Sequence, residues 1–206
     1  PEKAILESVR DRLIKLVMDL LDIPRPNGFE GDVARAVHAV LGEANFDSVL
    51  QPIGDDRYHA VGRWQGQGGG KSLMFNGHLD INPLALGWTR DPFDPWVEGN
   101  RLHGAGIRNM KSGVAAMIHA AEAIRKSGVS LAGDLVIACV LAELQGGLGT
   151  KHLLDNGYET DAAVVTEPYG AHHVVTKHGG MTIFPYISRV GILAGMTSMV
   201  STPSPR

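Results

Sequence analysis

Three acidic or imidazole groups stand where apolar stretches typical of buried strands come to an end. They are His78 together with Asp80, Glu143, and Glu167. In open α/β sheets, ligands bind beyond the carboxyl ends of the strands. We therefore expect the side chains of these residues to lie close together. Each one alone is better explained as a polar loop residue or a surface carboxylate. Their occurrence at three strand ends favours a metal site with an acid–base residue.

The residue types suit that chemistry. His78 and Asp80 are two positions apart, so in an extended chain their side chains point the same way. A histidine that binds zinc needs its second ring nitrogen held by an acceptor, and a nearby carboxylate commonly provides it. Glu143 faces the glycine turn 146–147. Partial desolvation there would raise the pKa of Glu143 toward neutrality, which suits a general base acting on a metal-bound water.

Two glycine-rich segments resemble cofactor-binding loops but lack essential features of them. The segment 66–72 ends in Gly70-Lys71-Ser72, but Gln65 stands where a phosphate loop needs its first glycine, and a strand follows instead of a helix. In the segment 104–109, Asn109 replaces the third glycine of a dinucleotide-binding turn. No nucleotide cofactor is therefore expected.

Composition excludes several classes of protein. The 206 residues include 19 Lys+Arg and 22 Asp+Glu, a net charge of −3 that argues against a nucleic-acid partner. No apolar run reaches the roughly 20 residues needed to span a bilayer, so no membrane partner is expected. Cys139 is the single cysteine, which excludes an intrachain disulfide and argues against a cysteine-built zinc site. These features predict a cytoplasmic protein.

The pattern of apolar residues predicts helices alternating with strands. Helical periodicity covers residues 5–21, 30–44, 110–126 and 148–156. Strands are predicted over residues 46–53, 58–64, 72–75, 134–142, 162–166, 172–177 and 182–190. The run 134–142 is expected at the centre of the sheet and 162–166 is expected to be buried. Residues 79–109 and 191–206 are expected to be irregular. The fold class is therefore α/β, with a mixed β-sheet flanked by helices.

An ordered set of motifs carries a resemblance to a known family. They are Gly77-His78-Leu79-Asp80, Trp88-Thr89-Arg90-Asp91-Pro92-Phe93, Gly104 to Lys111 with Met110-Lys111, Glu143 with Gly146-Gly147, and Glu167-Pro168. Over residues 5–190 the chain resembles the zinc-dependent aminoacylase/carboxypeptidase family that includes acetylornithine deacetylase and succinyl-diaminopimelate desuccinylase. The resemblance implies a zinc-exopeptidase-like catalytic domain that carries two zinc, cobalt or manganese ions. It also implies a smaller lid domain that mediates dimerisation.

The resemblance assigns roles to individual residues. His78 and Glu167 match ligands of the first metal, and Asp80 matches the carboxylate that orients His78. Glu143 matches the general base. The implied reaction is hydrolysis of an amide bond next to a carboxylate-bearing amino acid.

Two positions depart from the family pattern. Asn109 stands where the family has an aspartate that bridges the two metals, and Leu144 stands where it has a glutamate that binds the second metal. An amide oxygen can coordinate a cation but bridges two dications poorly, and a leucine side chain coordinates nothing. We therefore expect one zinc, cobalt or manganese ion rather than two, with His78, Asn109 and Glu167 as ligands.

The family pattern and the periodicity both end near residue 191. Residues 182–190 resemble the first strand of the lid, but the segment 191–196 lacks the histidine with which the family continues. We expect the N-terminal part of the catalytic α/β domain over residues 1–179, and the start of the lid and dimerisation domain over 180–206. The chain would then be truncated before most of the lid, as the product of a truncated or frame-shifted gene.

Two hypotheses about function follow. The first is a metal-dependent hydrolase of an amide bond in an N-acyl amino acid or a related small carboxylate, with Glu143 taking a proton from a metal-bound water. A complete lid would allow a homodimer. The alternative is a catalytically impaired or truncated relative that acts as a non-enzymatic binding protein, which Asn109 and Leu144 favour. The intact His78 and Glu143 favour the hydrolase.

Overall fold

The computed structural model describes residues 2–23, 30–168, 170, 172–177, 184–188 and 191–195. They fall into two compact units, one up to residue 168 and one beyond it, and each is described by itself. The helices of the first unit are α1 (Glu2–Leu21), α2 (Gly31–Glu43), α3 (Ser112–Lys126) and α4 (Leu148–Asp155). Its strands are β1 (Asp47–Gly54), β2 (Arg57–Trp64), β3 (Leu73–His78), β4 (Trp96–Glu98), β5 (Arg101–His103), β6 (Leu135–Val140) and β7 (Ala162–Val165).

A five-stranded mixed sheet in the order β1-β2-β6-β3-β7 forms the centre of the first unit. β2 runs antiparallel to β1 and to β6, whereas β6, β3 and β7 run parallel to one another. Parallel neighbours need long crossover connections, which α3 and α4 provide here. The predicted α/β fold with a mixed sheet flanked by helices is confirmed.

Helices cover both faces of the sheet, and β6 shows why its sequence is apolar without interruption. Leu135, Ile137 and Cys139 pack into the cluster that α1, α2 and α3 form on one face. Val136, Ala138 and Val140 pack with Leu153 of α4 on the other face. Alternate side chains of a strand point to opposite faces, so a strand covered on both sides is apolar throughout. The prediction of a central strand in 134–142 is confirmed.

Three local predictions are wrong, two in the first unit and one in the second. The segment 79–109 contains the antiparallel hairpin β4–β5, where Trp96 faces His103 and their rings stack at 4.7 Å. Strands of three residues are too short to show a periodicity. β7 pairs with β3 and is exposed along its whole length, because no described element covers it. Residues 172–177 adopt no regular secondary structure.

The second unit contains an antiparallel hairpin of β8 (Phe184–Ser188) and β9 (Gly191–Gly195). The strand predicted over 182–190 is confirmed for 184–188, and its flanks lie outside the described residues. The irregular end predicted from residue 191 is wrong for 191–195, and residues 196–206 lie outside the described part. The domain boundary between residues 179 and 180 stays a prediction. Among the helices of the described residues, none combines the length and apolar character needed to cross a membrane.

Candidate metal centre

The parallel arrangement of β3, β6 and β7 brings their carboxyl ends to one edge of the sheet. His78 is the last residue of β3, Glu143 follows β6 and Glu167 follows β7. His78 Nε2 lies 3.5 Å from Glu167 Oε2 and 3.8 Å from Glu143 Oε2. The structure therefore brings these three predicted site residues together.

Asp80 connects the end of β3 to the turn that carries Glu143. His78 Nδ1 donates to the backbone carbonyl oxygen of Asp80 at 2.8 Å, and the nearer carboxylate oxygen is 3.3 Å away. The carboxylate of Asp80 accepts hydrogen bonds from the backbone N–H of Leu144 at 2.9 Å and of Glu143 at 3.3 Å. Asp80 thus orients the His78 ring chiefly through its backbone and fixes the Glu143 turn through its side chain.

The charges at this edge alter the pKa of each group. Burial alone would lower the pKa of His78, but the nearby carboxylates of Asp80 and Glu167 and the negative charge of Glu143 outweigh it and raise that pKa to about 10. Burial acts to raise the pKa of Asp80, but His78 and the two backbone N–H donors lower it overall. The carboxylates around the His78 ring thus favour its positive charge, and that charge contributes in turn to the lowered pKa of Asp80.

Glu143 differs from the buried pair in its exposure. Its side chain is 52% exposed, whereas those of His78 and Asp80 are nearly inaccessible. Partial desolvation raises the pKa of Glu143, the charge of His78 opposes this, and the charges of Asp80 and Glu167 add to it. A carboxylate with a raised pKa, open to solvent on one side, can accept a proton from a water molecule and return it.

Within the described residues, two buried polar atoms have no hydrogen-bond partner: His78 Nε2 at this edge, and Asn109 Oδ1 in the turn before α3. Asn109 lies in the irregular helical turn Ile107–Lys111, and the next residue, Met110, packs its methyl group against Gly77 at the end of β3. An unpartnered buried polar atom is costly, and a cation at this edge would provide a partner for His78 Nε2. Nitrogen and oxygen ligands are those that zinc, cobalt and manganese accept, so the residues fit one such ion.

Among the described residues, His, Cys, Asp and Glu side chains alone do not provide a full set of metal ligands. Within the described part of the chain, no group of three or more His, Cys, Asp or Glu side chains is arranged to hold a metal ion. The ligand set expected from the sequence adds the amide of Asn109 to His78 and Glu167, and this set stays a prediction. The side chain of Leu144 offers no ligand atom.

The turn that carries Asn109 is fixed from two sides. Lys111 is buried, and its Nζ donates to the carbonyl oxygen of Leu20 in α1 at 2.6 Å, while burial lowers the pKa of Lys111 to about 8. At the start of α3, Gly113 lies against the carbonyl oxygen of Thr166, where a Cβ atom would come within 2.0 Å. This contact brings α3 next to the segment that leads into Glu167.

Sequence reasoning missed one buried histidine near the site. His59 of β2 is fully buried, and its Nδ1 accepts a hydrogen bond from the backbone N–H of Leu141 at 3.3 Å. Leu141 lies between β6 and Glu143. The strand pattern of residues 58–64 shows which face His59 shares with Val61, but nothing in the sequence identifies Leu141 as its partner.

The amino-acid sequence of this chain is similar to those of known proteins. A sequence model described as "Peptidase family M20/M25/M40" matches residues 74–189. The chain is 29% identical to N-formyl-4-amino-5-aminomethyl-2-methylpyrimidine deformylase of Bacillus subtilis, covering 85% of this chain and 42% of that protein. It is 31% identical to succinyl-diaminopimelate desuccinylase of Cereibacter sphaeroides, covering 83% of this chain and 48% of that protein. The chain thus spans about half the length of these curated relatives.

A solved structure supports the fold independently. An M20 family metallo-carboxypeptidase from Sulfolobus solfataricus superposes with a TM-score of 0.65 at 15% identity. The match covers 75% of this chain and 37% of that one. At this identity the likeness concerns the fold alone.

Proposed function

The chain belongs to peptidase family M20/M25/M40, and on this premise we propose that it carries the catalytic centre of a metal-dependent amide hydrolase. The proposed substrate is an N-acyl amino acid or a related small carboxylate. One observation carries the proposal: the buried Nε2 of His78, which has no hydrogen-bond partner in the part of the chain that the structure describes, faces the carboxylates of Glu167 and Glu143. The names of the deformylase and desuccinylase relatives support removal of an acyl group from an amine.

His78, Asn109 and Glu167 would hold one zinc, cobalt or manganese ion. Three protein ligands with an open position are typical of catalytic zinc. When bound, the ion would polarise the amide carbonyl group and lower the pKa of a water molecule. A second ion is not proposed, because Leu144 provides no ligand.

Glu143 would move the proton in this reaction. Its carboxylate accepts a proton from the attacking water as the new C–O bond forms, and donates it to the leaving nitrogen as the C–N bond breaks. The raised pKa of Glu143 brings proton acceptance and donation closer to balance. Asp80 keeps the carboxylate in reach by holding the backbone of the Glu143 turn.

The proposal also covers domain organisation, dimer formation and cellular location. We propose that residues 1–179 belong to the catalytic domain and residues 180–206 to the beginning of a lid that, when complete, mediates homodimer formation. The resemblance of residues 182–190 to a first lid strand supports this division. A cytoplasmic location is proposed because the chain has one cysteine, Cys139, which is buried.

The test measures metal content and hydrolysis in the same preparations. The chain is purified without added metal or chelator, analysed by elemental mass spectrometry, titrated with Zn²⁺, and assayed with N-formyl, N-acetyl and N-succinyl amino acids. We expect one equivalent of metal, lost in His78→Ala. Glu143→Gln should keep the metal and lose about 100-fold or more in turnover, because it removes the proton acceptor. The matched control is Glu159→Gln, a change at an exposed glutamate away from the site.

Two results would overturn the proposal. A chain that takes up no Zn²⁺ has no metal centre, and a metal-loaded chain that hydrolyses none of these amides is not this hydrolase. Either result would favour the non-enzymatic alternative, in which Asn109 and Leu144 mark the loss of metal chemistry.

A further inference from the structure

The segment that joins β6 to Glu143 leaves the sheet before it reaches the site. The antiparallel ladder between β2 and β6 extends to the pair Ala60↔Cys139. Beyond this pair, the backbone N–H of Leu141 donates a hydrogen bond to a side-chain atom, Nδ1 of His59, at 3.3 Å. His59 and Leu141 are both fully buried. A buried N–H without an acceptor is costly, so His59 replaces the lost strand partner at the point where β6 turns away.

This hydrogen bond fixes the tautomer of His59. A ring nitrogen that accepts carries no hydrogen, so the neutral ring must carry its hydrogen on Nε2. Among the described residues, neither the buried Nε2 of His59 nor the buried Nδ1 of His152 in α4 has a hydrogen-bond partner. The two ring centroids are 5.3 Å apart. This separation is compatible with an N–H···N bond of about 2.9 Å between the two rings.

Further contacts restrict the backbone of residues 141 and 142, which His59 holds. Ala142 adopts a left-handed conformation with φ of 61°, and its carbonyl oxygen accepts from the N–H of Leu148. The carbonyl oxygen of Leu141 lies so close to Gly149 that a Cβ atom there would be 1.6 Å away. Glu143 follows directly. The position of its carboxylate therefore depends on where residues 141 and 142 are held.

We propose that His59, oriented by His152, is a positioning residue for Glu143, because it holds the backbone N–H of Leu141 where the chain turns toward the site. Its role in turnover rests on the proposed function, whereas the hydrogen bonds themselves do not. Burial, with the nearby charges of His152 and Arg57, lowers the pKa of His59 to about 4. The ring is then neutral at pH 7, as an acceptor at Nδ1 must be.

The test compares two substitutions of His59. His59→Asn places Oδ1 near the position of Nδ1 and keeps an acceptor, whereas His59→Leu keeps the bulk without one. Amide hydrogen exchange is followed by NMR on the metal-free chain. We expect His59→Leu to speed exchange at Leu141 and Leu144 by about tenfold or more relative to Ile137 in β6, and His59→Asn to restore much of the protection. In the wild type, ¹⁵N spectra should show His59 protonated on Nε2.

Val61→Ala is the matched control, because Val61 is a buried β2 residue that does not contact the Leu141 amide through a hydrogen bond. It should change exchange at Leu141 and Ile137 in parallel. If His59→Leu does the same, or if His59 carries its hydrogen on Nδ1, the proposal is overturned. Should His59→Leu fail to fold, His152→Leu replaces it, with faster exchange at Leu141 expected and unchanged exchange contradicting the pairing.

The activity of the metal-loaded chain gives the second readout. With a hydrolysed amide in hand, His59→Leu should lower kcat about tenfold and leave KM nearly unchanged, because a displaced base weakens the chemical step rather than substrate binding. An unchanged kcat alongside faster exchange at Leu141 overturns the role in positioning. Absence of turnover in the wild type refutes the proposed hydrolase, while the exchange data still decide whether His59 holds the turn.

Discussion

At the scale of single residues, the site is defined by atoms that lack a partner. Within the described part of the chain, His78 Nε2 and Asn109 Oδ1 are buried without hydrogen bonds, and the carboxylates around His78 favour a positive charge there. His78 could satisfy its nitrogen with a proton, but the amide oxygen of Asn109 needs a donor or a cation. With Asn109 in the proposed ligand set, the identity of residue 109 would set how tightly an ion is held.

We predict that Asn109→Asp tightens Zn²⁺ binding by about tenfold or more, because a carboxylate is a stronger ligand for a dication than an amide. Without metal the same change should lower the free energy of unfolding, since it adds a charge to a side chain whose oxygen is buried without a partner among the described residues. Calorimetric titration and urea unfolding with and without Zn²⁺ measure the two effects. Asn156→Asp, at an exposed position, is the control. An unaltered affinity in Asn109→Asp would remove residue 109 from the ligand set.

At the scale of secondary structure, the helices approach the carboxyl ends of the strands through glycines. Gly113 in the first turn of α3 meets the carbonyl oxygen of Thr166, and Gly149 in α4 meets that of Leu141. Thr166 precedes Glu167, and Leu141 precedes the Glu143 turn. Each glycine thus sets the distance between a helix and a segment that carries a site residue.

Gly113→Ala should lower both stability and metal affinity. A Cβ atom would lie 2.0 Å from the Thr166 oxygen, so α3 or the Glu167 segment must move, at a cost of about 2 kcal/mol or more. Gly42→Ala in α2 meets no atom within 4 Å and should stabilise the chain by about 0.5–1 kcal/mol. Urea unfolding and Zn²⁺ titration of both variants test this. Equal affinity in Gly113→Ala and the wild type would show that Glu167 does not depend on α3.

The elements differ in how far their sequences predict them. β6 is apolar at every position because both its faces are covered, and its centrality follows from the sequence. β7 has a similar composition but lies exposed at the edge, since burial depends on what packs against a strand and not on the strand itself. In the hairpin β4–β5, Trp96 stacks on His103. The periodicity of apolar residues in the sequence does not predict this contact.

The same distinction applies to the site. Strand ends identify His78, Glu143 and Glu167 as groups that converge, because parallel strands end at a common edge. Sequence reasoning could not assign His59 to Leu141, because that hydrogen bond joins β2 to a turn 82 positions away. Contacts between distant segments follow from the assembled fold.

At the scale of the whole molecule, buried histidines make stability depend on pH. His59 has its pKa lowered from 6.5 to about 4 by burial and by the charges of His152 and Arg57. Between pH 6.5 and pH 4 the unfolded chain takes up a proton at His59 that the folded chain does not. The free energy of unfolding therefore falls as pH falls through this window, and His59 contributes no such change above it.

We predict that His59→Asn removes a fall on the order of 3 kcal/mol in the free energy of unfolding between pH 6.5 and pH 4. Urea unfolding of the wild type and the variant across this window gives the difference, in which the contributions of other groups cancel. His172→Asn, which changes an exposed histidine, should keep the wild-type dependence. Parallel curves for the wild type and His59→Asn would mean that His59 binds its proton equally well in both states.

The bond between Asp80 and the N–H of Leu144 has a consequence for the order of folding. It joins positions 64 residues apart, and β3 must pair with both β6 and β7 before the ends of the three strands meet. Closing such long loops is entropically expensive, so contacts of this kind form late. An unfolded chain offers an ion only scattered ligands. The acquisition of metal affinity during refolding would then mark the last step of sheet assembly, and a slow one.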